Sequence, residues 1–259
     1  MKVYVHAVAQ VLTESPGPGH FSRMVLRAAN EVAGKAPSGA SALVFGTGYG
    51  PLGATEEFLT GVKTRGMGFG SPTAFHTSVH HAVLGQLALS LKHTGVQLSV
   101  SSREVSGEAA LAAAVRLLKA GRAESVLVLA GDEVTGALVE AYEAFGLNTV
   151  AVGVPSEGAG AAWLSKEPSD LNVEVAFTSA SAGGLKWPGL SLPDEGLMRP
   201  VFELPSNEVG FNPSGGMLRF VQSVDALRAD AKWKTAVVRG AAFGGAQGCV
   251  TLRREAKSP

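Results

Sequence analysis

The stretch that most limits what this chain can become lies at residues 96–133. Residues 96–101 alternate apolar and polar side chains at period two and end in a Ser-Ser pair, the pattern of a strand running into a tight bend. Gly107 follows, a residue that lets one backbone lie close against another. From 108 to 119, Ala109, Ala112, Ala113 and Leu117 fall along one side at helical spacing, and Gly121 ends the run as a C-terminal cap does. Residues 125–130 are almost wholly apolar, which suits a strand covered on both faces. A bend between strand and helix holds a side chain at the helix N-terminus, a common address for a nucleophile. The side chain nearest that point is Glu104, a poor nucleophile.

These residues carry a family resemblance. Ser102-Arg103-Glu104-Val105-Ser106-Gly107 resembles the nucleophile segment of the β-ketoacyl synthases of the thiolase superfamily. In that family a strand ends in Ser-x-Cys-x-Ser/Thr-Gly, and a long Ala-rich helix leads to a strand closed by Ala-Gly-Gly-x-Glu. Ala130-Gly131-Asp132-Glu133 is similar to the far end of that pattern. Glu104 stands where the family has its catalytic cysteine, whose thiol carries the growing acyl chain as a thioester. The resemblance implies an α/β, thiolase-like layered α-β-α-β-α fold.

The chain has 259 residues and 46% hydrophobic side chains, enough for a large core in one or two α/β lobes. Its 22 Lys+Arg balance 22 Asp+Glu, which argues against a nucleic-acid binder, since that needs a basic face to neutralise phosphates. The single cysteine excludes an intrachain disulfide framework, and a reducing, cytoplasmic setting is expected. The apolar start is broken by His6 and Gln10, so it reads as a first core strand rather than a signal peptide, and no stretch is long enough to span a bilayer.

Along the chain, a strand is expected at 3–11, a helix at 21–32 and a strand at 42–45 that runs into the glycine-rich turn 46–50. That turn matches neither the P-loop nor the dinucleotide fingerprint, and it reads as structural. A helix at 55–62 opens with Thr55 as its cap and Glu56 and Glu57 in its first turn. One helix is expected over 73–92, with His76 and His80 a turn apart; no third ligand is near them, and no metal or other cofactor is expected. A helix at 137–145 and strands at 149–154 and 159–164 follow. The resemblance makes 1–166 the N-terminal lobe and 172–254 a shortened C-terminal lobe. In the latter, 173–178, 235–241 and 248–253 read as strands, 183–208 as loop and 212–227 as helix, with Cys249 a core residue.

The family's catalytic histidines lack counterparts: none occurs after His93, and Phe211 stands at the place of one of them. Condensation needs a thiolate to hold one acyl group and hydrogen-bond donors for the developing oxyanion. The resemblance therefore implies a chain length factor, a non-catalytic subunit that heterodimerises with an active β-ketoacyl-ACP synthase in type II polyketide, aryl polyene or fatty acid synthesis. Acyl carrier protein is then met through the partner. Arg103 and Glu104 are expected to pair as a polar plug, and Phe75, Val79, His80, Val83 and Phe243 to lie near the tunnel or pocket. Val96, Leu98, Val100 and Ser102 are expected at the dimer interface. Two alternatives stay open. One is a malonyl-ACP decarboxylase or acyl transferase using Glu104 as base, and the other is a homodimeric scaffold of the same fold.

Overall fold

A computed structural model describes residues 1–12, 17, 19–37, 39–144, 156–178, 201–202, 214–242 and 246–255. Strand β1 (Tyr4–Val11) leads to helix α1 (His20–Lys35), strand β2 (Ala42–Gly46) and helix α2 (Leu52–Arg65). Helices α3 (Pro72–Ser78) and α4 (Ala82–Ser90) precede strand β3 (Val96–Val100). Helix α5 (Ser106–Lys119), strand β4 (Ser125–Asp132), helix α6 (Gly136–Ala144) and strand β5 (Gly158–Ser165) come next. Strands β6 (Leu171–Thr178) and β7 (Val201–Phe202), helix α7 (Gly215–Ala229) and strands β8 (Thr235–Ala241) and β9 (Gln247–Arg254) complete the described elements.

The strands join in the order β3-β2-β4-β5-β1-β6-β9-β8-β7. β2 lies parallel to β3 and β4, while β5 runs antiparallel to β4 and β1. The second half repeats this plan: β6, β9, β8 and β7 take the places of β1, β5, β4 and β2, with the same relative directions. Nothing among the described residues answers to β3.

Two apolar clusters separate the layers. α1 and α4 cover one face of the first five strands through Phe21, Met24, Val32, Val83 and Leu87, packed on Leu43, Leu127 and Trp163. α5 and α7 fill the space between the two halves of the sheet, where Leu111, Val115 and Phe220 meet Val44, Val128, Val173, Val238 and Leu252. Since side chains alternate along a strand, the opposite side of β6, β8 and β9 carries Asn172, Glu174, Thr235, Val237, Arg239, Cys249, Thr251 and Arg253. An ion pair from Arg253 to Glu174 at 2.6 Å crosses this polar side.

Several expectations need correction. The single helix over 73–92 is two, because Val79 takes an extended conformation and the chain turns there, with the Ala82 amide bonded to the Val79 carbonyl. Thr77 and Ser78 hydroxyls bond back to the carbonyls of Thr73 and Phe75, which competes with helix continuation. His76 and His80 therefore do not share one helical face. α2 starts at Leu52, after Pro51, and the Thr55 hydroxyl bonds back to the Pro51 carbonyl instead of capping. The loop expected at 183–208 contains the short strand β7, and the strand expected at 149–154 lies outside the described residues.

Candidate functional site

At the C-terminal end of β3 the chain bends through Ser101 and Ser102 into a short 3-10 turn, Arg103–Val105, and then into α5. Arg103 holds φ at +51°, a left-handed conformation that costs a non-glycine residue about 1 kcal/mol or more. The Ser106 hydroxyl secures the bend: it donates to the Arg103 carbonyl at 2.6 Å and accepts from the Ser102 amide at 3.0 Å. Gly46 is needed opposite, since a Cβ there would collide with the Ser106 carbonyl. At Gly107 a Cβ would lie 2.7 Å from the Met217 amide nitrogen, so α5 and α7 cross backbone to backbone at their first turns.

The bend does not hold the expected ion pair. Arg103 is exposed while Glu104 is half-buried, and one oxygen of Glu104, Oε2, is buried without a hydrogen-bond partner. The left-handed turn at 103 sends the two neighbouring side chains apart. The carboxylate that packs behind the bend is instead Glu108, one helical turn later and 0% exposed.

A second buried carboxylate closes the site. Asp132, at the end of β4, accepts at Oδ1 from the Thr47 hydroxyl (2.7 Å) and from the amides of Gly48 (2.9 Å), Tyr49 (2.7 Å) and Gly50 (3.3 Å). Its other oxygen, Oδ2, accepts from the Ser214 hydroxyl at 2.5 Å, immediately before α7. The glycine-rich turn is thus an anion nest filled by the protein's own side chain. Burial pushes the Asp132 carboxyl up, and the Ser214, Tyr49 and Thr47 donors pull part of that rise back.

Beside it, Glu133 accepts from the Gly53 amide at 2.8 Å, and burial raises its carboxyl against the pull of that amide and of His20. His20 meets Glu157 at 2.9 Å, and a cavity of about 420 Å³ opens between the starts of α1, α2 and α3 next to Glu133. No described group of three or more His, Cys, Asp or Glu side chains is arranged to hold a metal ion.

The other expected site residues do not gather on one side of the sheet. Phe75 is 58% exposed and stacks obliquely on Phe58, with ring centroids 5.2 Å apart. Val79 is exposed as well, and the His80 ring packs against Gly50 in the nest. Val83 is buried in the core under α1, which removes it from any lining surface of the isolated chain. Val96 and Leu98 are each 38% exposed on β3, the edge strand, whereas Val100 turns toward the core. Ser102 is half-buried at the bend. Phe211 and Phe243 lie outside the described residues. Cys249 is buried in β9, and burial raises its thiol, in keeping with a core residue.

A five-strand plan and its four-strand repeat, as described, around two central helices define a thiolase-like layered fold. A strand, a strained turn and the start of a buried helix form the bend at which the sequence resemblance expects a nucleophile, and Glu104 stands there. The chain belongs to the β-ketoacyl synthase family, whose N-terminal domain matches residues 19–182. Solved structures with the same fold include the ishigamide ketosynthase/chain length factor, 16% identical with a TM-score of 0.72, over 91% of this chain and 81% of that one. A ketosynthase (ApeO) in complex with its chain length factor (ApeC) from Xenorhabdus doucetiae is 18% identical with a TM-score of 0.59, over 90% and 77%. A third similar structure, AntDE:AntF, a type II PKS acyl-carrier protein in complex with its ketosynthase bound to the hexaketide, is 13% identical with a TM-score of 0.74, over 98% and 99%. No curated protein matches the chain by sequence. Among the described residues, no helix is long and apolar enough to cross a membrane.

Proposed function

We propose that this chain is a non-catalytic, chain-length-factor-type subunit that pairs with an active β-ketoacyl-ACP synthase in type II polyketide, aryl polyene or fatty acid synthesis. The observation that carries the reading is the bend itself: it keeps its strained turn and helix start, yet presents Glu104 where a thiolate is needed, in a chain with no histidine after His93. Two similar solved structures are a ketosynthase with a chain length factor by their own descriptions, which supports the same kind of role.

The partner surface is β3 and the helices beside it. Val96, Leu98, Val79 and Phe75 are apolar and exposed on or near an unpaired strand edge, and Leu89 on α4 is 82% exposed. Strand addition along β3 supplies main-chain hydrogen bonds, and these side chains supply the apolar contact. Val100 and Ser102 continue the strand into the bend, so the interface runs up to the candidate pocket. Phe75, Val79 and His80 border the tunnel of the assembled pair, Val83 supports them from below, and Phe243 belongs to the turn beside the bend. The chain divides into an N-terminal lobe, 1–166, and a shortened C-terminal lobe, 172–254. Carrier protein docks on the partner, since the balanced charge of 22 basic and 22 acidic residues offers an acidic carrier no general attraction.

Co-expression with a β-ketoacyl-ACP synthase of the same organism tests the proposal: a one-to-one complex is expected on size exclusion with light scattering. A covalent acyl adduct formed and extended with malonyl units by the isolated chain overturns it. The unpartnered Oε2 of Glu104 favours one rival, a malonyl-ACP decarboxylase with that carboxylate as base. Turnover of malonyl carrier protein that Glu104→Ala abolishes is the signature of that rival.

A further inference from the structure

Glu108 is wholly enclosed, and neither carboxyl oxygen has a hydrogen-bond partner. Arg219 on α7 approaches to 3.6 Å, close enough for charge attraction but too long for a hydrogen bond. Around the side chain stand three glycines from three different elements: Gly216 on α7, Gly240 on β8 and Gly248 on β9. A Cβ built on any of them would overlap Glu108, at the carboxyl group for Gly216 and Gly240 and at the side-chain stem for Gly248. Val105 and Phe177 are also in contact with this slot.

Three glycines converging on one side chain from separate strands and a helix form a socket. We propose that Glu108 is a built-in plug, seated in the glycine socket of the second lobe, that occupies the room behind the nucleophile bend and locks the two lobes together. The inference goes beyond the partner reading and does not depend on it, because it concerns the isolated chain. It also corrects the expected plug: the obstruction behind the bend is the side chain one turn into α5, not an Arg103–Glu104 pair.

The plug is proton-linked. Burial holds the Glu108 carboxyl above the ordinary carboxylate range, with Arg219 offsetting only part of the rise. The charged group facing it is Arg219 on α7, with Glu104 one turn earlier on the same segment; β8 and β9 present Gly240 and Gly248, with Arg239 and Cys249 turned to the other side of the sheet, and β6 contributes Phe177, which carries no charge. A carboxyl raised on folding contributes stability that is full below its ordinary range and is lost as pH rises through its folded value.

A mutant cycle tests the socket. Gly216→Ala is expected to lower the Tm of the native chain by about 5 °C or more. In a Glu108→Ala background the same substitution is expected to change Tm by less than about 2 °C, because the added methyl enters space the plug has vacated. An equal loss in both backgrounds overturns the proposal. Glu108→Gln, which keeps the shape and cannot ionise, supplies a second measurement that survives if Glu108→Ala does not fold. Its Tm is expected to match the native chain best at or below about pH 4, under the ordinary carboxyl range, and to exceed it at alkaline pH; profiles that stay parallel across that range overturn the proton linkage.

Discussion

Asp132 and Glu108 are both carboxyls with no exposed surface, both reach the first turn of α7, and they are housed in opposite ways. Asp132 sits in a nest of donors, four on one oxygen and a serine hydroxyl on the other. Glu108 sits among glycine backbones with no hydrogen bond from another described residue. The first is solvated by the protein and ties the turn after β2 to the start of α7 as an acceptor. The second is accommodated by shape, and its fit replaces polar partners. One helix end is therefore held from two sides, by hydrogen bonding on one and by packing on the other.

The sharpest way to break this contrast is Asp132→Ala. It strips the acceptor from buried donors at 47–50 and 214 and is expected to destabilise the chain by roughly 3–5 kcal/mol, measured by urea unfolding. Asp132→Asn, which keeps some acceptor capacity, should lose distinctly less. If the two substitutions cost the same, the nest does not distinguish charge from shape. Ser214→Ala removes the bond to Oδ2 and is expected to cost about 1–2 kcal/mol by the same measurement.

A smaller effect is expected at the far end of α7, where Arg228 grips Asp170 with two bonds of 2.9 Å and also donates to the carbonyls of Val5 and His6. This pair is partly exposed, so Arg228→Ala should cost only about 1 kcal/mol. Its bond to Arg228 lowers the Asp170 carboxyl, so its contribution is present above the ordinary aspartate range and fades as pH falls through the lowered value. That sign is the reverse of the one at Glu108, and acid and alkaline unfolding profiles of the two variants separate them. Glu104→Ala is expected to be smallest, within about 0.5 kcal/mol, because one of its oxygens already lacks a partner. A large loss there shows that Glu104 is bound by structure rather than left over from chemistry.

Much of the frame was legible because it follows from periodicity. The period-two run before Ser101, the Ala-rich helix and the apolar run at 125–130 became β3, α5 and β4, and Gly121 closes α5 with φ at +67°. The bend was found through the spacing of Ser102, Ser106 and Gly107. Glu108 was not, for a physical reason. A glutamate in the first turn of a helix reads as a solvated carboxylate favoured by the dipole. α5 is buried on nearly every side, with Ala110, Leu111, Ala114, Val115 and Leu118 all enclosed, so the one-sided stripe understated what it hides. The signal that could have exposed it is that all-round small and apolar pattern, which leaves little of the helix surface for water. The break at Val79 was illegible for another reason, since β-branched and hydroxyl residues are only weakly unfavourable in a helix and the decision rests on packing.

The hydrophilic flank of β6, β8 and β9 has a consequence for how far any assembly can grow. Where that flank is exposed it carries the charges of Glu174 and Arg239, and β7, at the far end of the sheet, is two residues long. Among the described residues, β3 is the longer unpaired margin, with Val96 and Leu98 exposed along it. In the proposed pairing one mate fills that margin, so association through it stops at a pair instead of running on into a fibre.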